Sequence, residues 1–189
     1  MLCRGVRILS LHSVRGRNLL YQRKKMTSGE APLHDLIKPL GWLLGTWRSE
    51  EGFGHYPTIK DFKYGEELQF FQVGQPNIQF SFYAWHADTK KPMHREIGFI
   101  RIKPGTNQVA LIGAQNTGLA EVEEGHVEGQ EMKTETQTLA RLSFGTPPAI
   151  RKISRIFKRN GDVLEQVLSM ETENTPMTTH LKISYQKVN

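Results

Sequence analysis

Six histidines are spread through the body of the chain: His34, His55, His86, His94, His126 and His180. Imidazole is the side chain here best suited to holding a metal, and one imidazole facing an apolar pocket is enough to attach a haem iron. A zinc site needs more ligands. His86, His94 and His180 offer the right type but no pairwise spacing signature. The single cysteine, Cys3, excludes an intrachain disulfide and a cysteine-based zinc site. The chain also lacks a Gly-x-Ser-x-Gly elbow, a Gly-rich phosphate loop and a His-Glu-x-x-His pair. Glu66-Glu67 and the group Glu121, Glu123 and Glu124 read as solvated charges on strands and turns.

His180 opens the last β-type run, Pro176-Met177-Thr178-Thr179-His180-Leu181-Lys182-Ile183-Ser184-Tyr185. Strict alternation places His180 with Lys182 and Ser184 on one face, and Leu181, Ile183 and Tyr185 on the other. If the apolar face is the core, His180 points to solvent. A ligand role requires it to sit at the mouth of a barrel, where register is loose.

The elements that must position these residues follow from periodicity. Leu33, Leu36, Ile37, Leu40, Leu43 and Leu44 recur at helical spacing, interrupted by Pro39. The spacing predicts one short helix ending near Gly41 or Gly45. A Gly45-Thr46-Trp47 segment follows, as it often does at the start of a small ligand-binding β-barrel. The runs predicted as strands are Phe62–Phe71, Ile78–Ala87, Met93–Lys103, Gln108–Ala114, Gly118–Glu123, Val127–Thr136, Gln137–Phe144, Ile150–Arg159, Val163–Glu173 and Thr179–Val188. Turn signals separate them, including Glu124-Gly125 and Asn160-Gly161. Such a meander points to an all-β fold: a lipocalin- or fatty-acid-binding-protein-like antiparallel barrel of about ten strands, preceded by a short helix, with a ligand cavity.

The net charge of +6 lies wholly in residues 1–31, which hold seven lysines and arginines against the single acid Glu30. Residues 32–189, the expected folded domain, are balanced, which is poor equipment for neutralising phosphates, so nucleic acid is not an expected partner. No apolar run approaches the roughly 20 residues that cross a bilayer, so no membrane partner is expected either. Residues 1–29 carry no acid and mix arginine with Ile8, Leu9 and Leu11, the composition of a mitochondrial transit peptide. Met26 is an alternative start. The expected location is cytoplasmic, or mitochondrial through residues 1–25.

Several blocks in order resemble the nitrobindin family of haem-binding β-barrels, in particular the C-terminal nitrobindin-like domain of animal THAP-domain proteins. They are Gly45-Thr46-Trp47, Tyr56-Pro57-Thr58, Pro92 to Arg101, Ala114-Gln115-Asn116-Thr117-Gly118, Glu121 to Gly125, and Pro176 to Leu181. The resemblance runs from about Pro32 to Val188. It implies a ten-stranded antiparallel barrel holding ferric haem b, with nitric oxide and peroxynitrite as ligands and the isomerisation of peroxynitrite to nitrate as the activity. By the same resemblance His180 matches the proximal iron ligand and the catalytic centre. Thr58 matches a residue lining the haem site, and Met93 and His94 match the distal side. Their plain alternatives are a turn residue, a hydrophobic filler and a polar residue at a strand start. Many family members read Gly-x-Trp-x-Gly-x-Gly, where Ser49 and Glu51 stand here; Gly52 and Gly54 then restore the backbone freedom a little further along. The resemblance admits a homodimer. Two other functions stay open: a carrier or sensor of haem or nitric oxide, and a haem-free barrel for an apolar small molecule.

Overall fold

A computed structural model describes residues 32–72 and 74–188. The basic stretch 1–31, with its targeting and alternative-start readings and Cys3, lies outside the described residues. Chain order gives a 3₁₀ helix, Asp35–Leu43, and ten strands. They are β1 (Gly45–Tyr56), β2 (Ile59–Gln72), β3 (Asn77–His86), β4 (Pro92–Ile102), β5 (Gln108–Gln115), β6 (Leu119–Glu128), β7 (Glu131–Arg141), β8 (Ile150–Asn160), β9 (Val163–Thr172) and β10 (Thr175–Lys187). Each strand pairs with the next in antiparallel fashion, and β10 returns to β1, so the sheet closes into a barrel without an edge.

Closure puts alternate hairpins at opposite ends. At one end the helix acts as a plug. Pro39 lacks the N–H that an α-helix interior needs, and the segment takes the tighter 3₁₀ form. His34 caps it, its Nδ1 accepting the Leu36 N–H at 3.2 Å. Ile37, Leu40, Trp42 and Leu43 are buried in the barrel core. The Trp47 indole, fully buried, donates to the Leu43 carbonyl at 2.7 Å and ties helix to β1. Above this plug Phe70, Phe80, Phe82 and Phe157 fill the barrel's waist, with ring centroids 4.5 to 6.0 Å apart. The opposite end is not filled.

The strand count matches the sequence expectation, but β1, β6 and β7 depart from the expected runs. β1 was not expected, because Arg48, Glu50, Glu51 and three glycines conceal its alternation. The three predicted runs between Gly118 and Phe144 are two strands, β6 and β7, and the turn lies at Gly129-Gln130 rather than at Glu124-Gly125. Gly125 sits within β6, where a Cβ would fall 1.9 Å from the Lys133 carbonyl oxygen of β7. That glycine permits close strand approach; Gly129, at φ 56°, makes the turn.

Candidate functional site

At the unplugged end the barrel encloses a cavity of about 360 Å³. Its wall is mainly apolar, with Phe62, Phe82, Ala84, Leu168 and Met170 among the lining residues. His180 lines it too. The pairing of β10 with β9 passes from Thr179↔Ser169 to Leu181↔Leu168, so His180 is an extra residue with no cross-strand partner. This bulge breaks the strict alternation, and both His180 and Leu181 face the cavity. The outward placement that alternation alone gave is therefore corrected.

The His180 ring is held from three directions. Its Nδ1 lies 3.1 Å from the His55 carbonyl oxygen of β1. A carbonyl only accepts, so Nδ1 carries the proton and Nε2 keeps a free lone pair. Tyr56 and Phe62 meet the ring edge-on, at 5.4 and 6.1 Å between centroids. The Tyr56 hydroxyl is anchored on the Met170 carbonyl at 3.2 Å. Burial pushes the imidazole's pKa below its ordinary value, outweighing the hydrogen bond to His55, and this favours the neutral ligand form.

Gly54 and Gly52 support this wall by steric clearance. A Cβ on Gly54 would lie 2.2 Å from the Phe62 ring, and one on Gly52 would lie 2.6 Å from Tyr64. Neither has positive φ, so the backbone freedom expected of them is not their role.

Met93 and His94, at the start of β4, both line the cavity. Met93 is 38% exposed at the rim. Thr58 is exposed on the turn between β1 and β2 and is not part of the cavity wall; its neighbour Tyr56 reaches His180 instead. His86 does not join His94 and His180. Its Nδ1 accepts the N–H of Asp88 at 3.2 Å in the hairpin after β3, and among the described residues no group of three or more His, Cys, Asp or Glu side chains is arranged to hold a metal ion.

The cavity floor departs most from the sequence reading. Glu66, Glu121 and Glu123, read as solvated, are buried, together with Glu96 and Arg155. Alternation places them inside while Glu67 and Glu124 take the outer face. Arg155 Nη2 donates to both oxygens of Glu96 at 3.1 Å, and its Nε to Glu123 at 3.2 Å. Glu121 accepts from Gln115 at 2.9 Å and Thr136 at 3.1 Å. Glu123 accepts from Thr134, and Glu66 from the Tyr185 hydroxyl at 2.6 Å. His94 Nε2 stands 3.6 Å from Glu96.

Four carboxyls around one guanidinium cannot all be ionised out of water. Burial raises Glu96, but Arg155 and His94 override it, leaving this carboxyl below its usual range. Burial lifts Glu66 despite the Tyr185 bond, and lifts Glu123 despite Arg155. Burial and the neighbouring Glu123 raise Glu121 to about 7. The floor therefore holds a proton to higher pH than a solvated carboxyl does, on Glu121 up to about 7. The signal was present in the sequence: Leu119, Glu121 and Glu123 share a period-two face, as do Ile153, Arg155 and Phe157.

Residues 36–187 match the family described as THAP4-like, heme-binding beta-barrel domain. The chain belongs to this family. Among relatives of this THAP4-like barrel, peroxynitrite isomerase THAP4 of Homo sapiens is 51% identical over 164 residues, covering 85% of this chain and 28% of that protein. The chain thus spans less than a third of the animal relatives it matches. Peroxynitrite isomerase Rv2717c of Arabidopsis thaliana is 37% identical over 163 residues, covering 85% of this chain and 94% of that one. The crystal structure of Rv2717c from M. tuberculosis aligns with a TM-score of 0.76 at 27% identity, over 84% of this chain and 100% of that one. The closed ten-stranded barrel is the fold that the sequence resemblance implied.

Proposed function

We propose that this barrel is a ferric haem b protein that binds nitric oxide and isomerises peroxynitrite to nitrate, with His180 as the axial iron ligand. One observation carries the reading: a neutral imidazole at the cavity wall has Nδ1 fixed on the His55 carbonyl and Nε2 free. A metal-binding histidine is oriented in this way, its second nitrogen donating to a carbonyl that fixes the tautomer. The donor set fits a haem: one histidine in a largely apolar cavity open at one end.

When bound, ferric haem supplies an electrophilic iron with a coordination position left for a small ligand. The chain does the rest. Tyr56 and Phe62 hold the imidazole plane by edge contacts. The apolar wall excludes water from the site, which protects a reactive ligand from competing hydrolysis. Met93 and His94 border the rim through which a small ligand enters, and Glu96 fixes the edge of His94. Thr58 contributes through the turn that sets Tyr56, rather than through the cavity wall.

The test is an absorption titration of the chain with ferric haem, beside His180→Ala. The expected result is a saturable Soret band at one haem per chain, shifted or lost in the variant. Absence of a saturable band in the wild type overturns the haem reading and leaves the apolar-ligand barrel. Catalytic decay of peroxynitrite at substoichiometric protein is then expected; a purely stoichiometric reaction points to a carrier or sensor instead.

A further inference from the structure

Tyr64 on β2 is 2% exposed and lines the cavity, and its hydroxyl has no hydrogen-bond partner among the described residues. Buried tyrosine hydroxyls ordinarily find one, because leaving the group unpaired forfeits its solvation. The groups around it are otherwise engaged. Glu66, on the same face of β2, accepts from Tyr185, whose hydroxyl also meets Gln166 of β9. Arg155 is taken by Glu96 and Glu123, and His94 stands against Glu96.

The ring is placed by packing instead. Gly52 of β1 leaves it room, since a Cβ there would come within 2.6 Å of its edge and 2.8 Å of Ile183. Phe62, one step nearer the mouth on the same face, touches both Tyr64 at 5.9 Å and His180 at 6.1 Å. The hydroxyl is therefore fixed in the β2 part of the cavity wall, without spending its proton on the protein.

We propose that Tyr64 is a ligand-recognition residue whose hydroxyl donates a hydrogen bond to an acceptor oxygen of the group occupying the cavity. On the haem reading, on which this rests, that oxygen belongs either to a carboxylate of the haem itself or to a small oxyanion bound at its iron. Burial and the neighbouring Glu66 push the phenol's ionisation far above its ordinary range. Tyr64 is thus a donor across the whole working pH range, and an oxygen acceptor is the group it matches.

Tyr64→Phe isolates the hydroxyl. The unliganded variant should unfold at a urea midpoint no lower than the wild type, because the group removed had no partner; a clear drop would reveal a structural partner and overturn the proposal. Three ligands then separate the sources: ferric haem, its dimethyl ester, and nitrite added to the haem-loaded protein. A haem carboxylate as acceptor predicts haem affinity weakened about tenfold or more in the variant, with a smaller difference for the dimethyl ester, whose neutral carbonyl accepts more weakly. A small oxyanion as acceptor predicts equal haem affinity and nitrite affinity weakened by about the same factor. Equal affinities throughout sink the proposal. Should the wild type give no Soret band, the haem reading fails separately, and cis-parinaric acid becomes the probe of Tyr64. Its fluorescence should then report weaker carboxylate binding in Tyr64→Phe, and equal binding overturns the assignment.

Discussion

Arg155 is 1% exposed, and its guanidinium is the one cation among the buried charged groups described. It meets Glu96 and Glu123 directly and Glu121 at 3.9 Å. It also lies over the Phe82 ring at 5.7 Å, between the polar floor and the aromatic waist. Removing one member of such a group leaves the others buried and uncompensated, typically at about 3–5 kcal/mol. Arg155→Met should therefore lose roughly that much stability in urea unfolding at pH 8. Adding Glu96→Gln and Glu123→Gln to the same chain should restore much of it, because the two carboxyls that Arg155 bonds directly are then neutral. An Arg155→Met protein as stable as the wild type would mean that these carboxyls hold no charge at all. The residues of this floor were in plain view in the sequence. What hid them was the habit of reading acidic pairs as solvated, which ignored that Glu66 and Glu67 must face opposite sides of one strand.

Among the elements, β1 and β6 show what periodicity gives and where it stops. Strands with unbroken alternation, such as Ile78, Phe80, Phe82 and Ala84 in β3, lie within one residue of their expected limits. β1 carries register shifts between Ser49 and Gly52 and between Gly54 and Tyr56, so its faces exchange along its length and no single period survives. The bulge at His180 is the same kind of event: the residue type announced the chemistry, but only the paired strand decides which way it points. Gly125 is the testable case. Gly125→Ala sets a methyl against backbone, which cannot rotate away, and should cost about 1–3 kcal/mol as overpacking. Gly129→Asn places a residue tolerant of positive φ in open space and should stay within about 0.5 kcal/mol. Thermal unfolding of the two variants side by side checks the assignment, and the reverse order of stability would return the turn to Gly125.

The whole molecule is polarised along the barrel axis: plug, aromatic waist, acidic floor, then an apolar cavity. The floor makes its stability depend on pH in a direction that can be worked out. Glu121 titrates near 7 in the folded protein, against an ordinary 4.5. Between those values the folded state holds a proton that the unfolded chain has released. Stability therefore falls as pH rises through this window, and the loss is complete above about 7. Glu66 and Glu123, also raised, act with the same sign. His180 acts against them, since its lowered pKa makes stability fall as pH drops below its ordinary 6.5. Comparing Glu121→Gln with the wild type cancels the groups that lie apart from Glu121, His180 among them. Glutamine keeps the local bonds: its oxygen accepts from Gln115, and its amide donates to Thr136, whose hydroxyl turns to the Ile153 carbonyl at 3.2 Å. The variant should match the wild type to within about 0.5 kcal/mol at pH 4.5 and exceed it by about 3 kcal/mol at pH 8. Urea midpoints at the two pH values decide it. The same difference at both would mean that Glu121 carries no proton that the fold must hold.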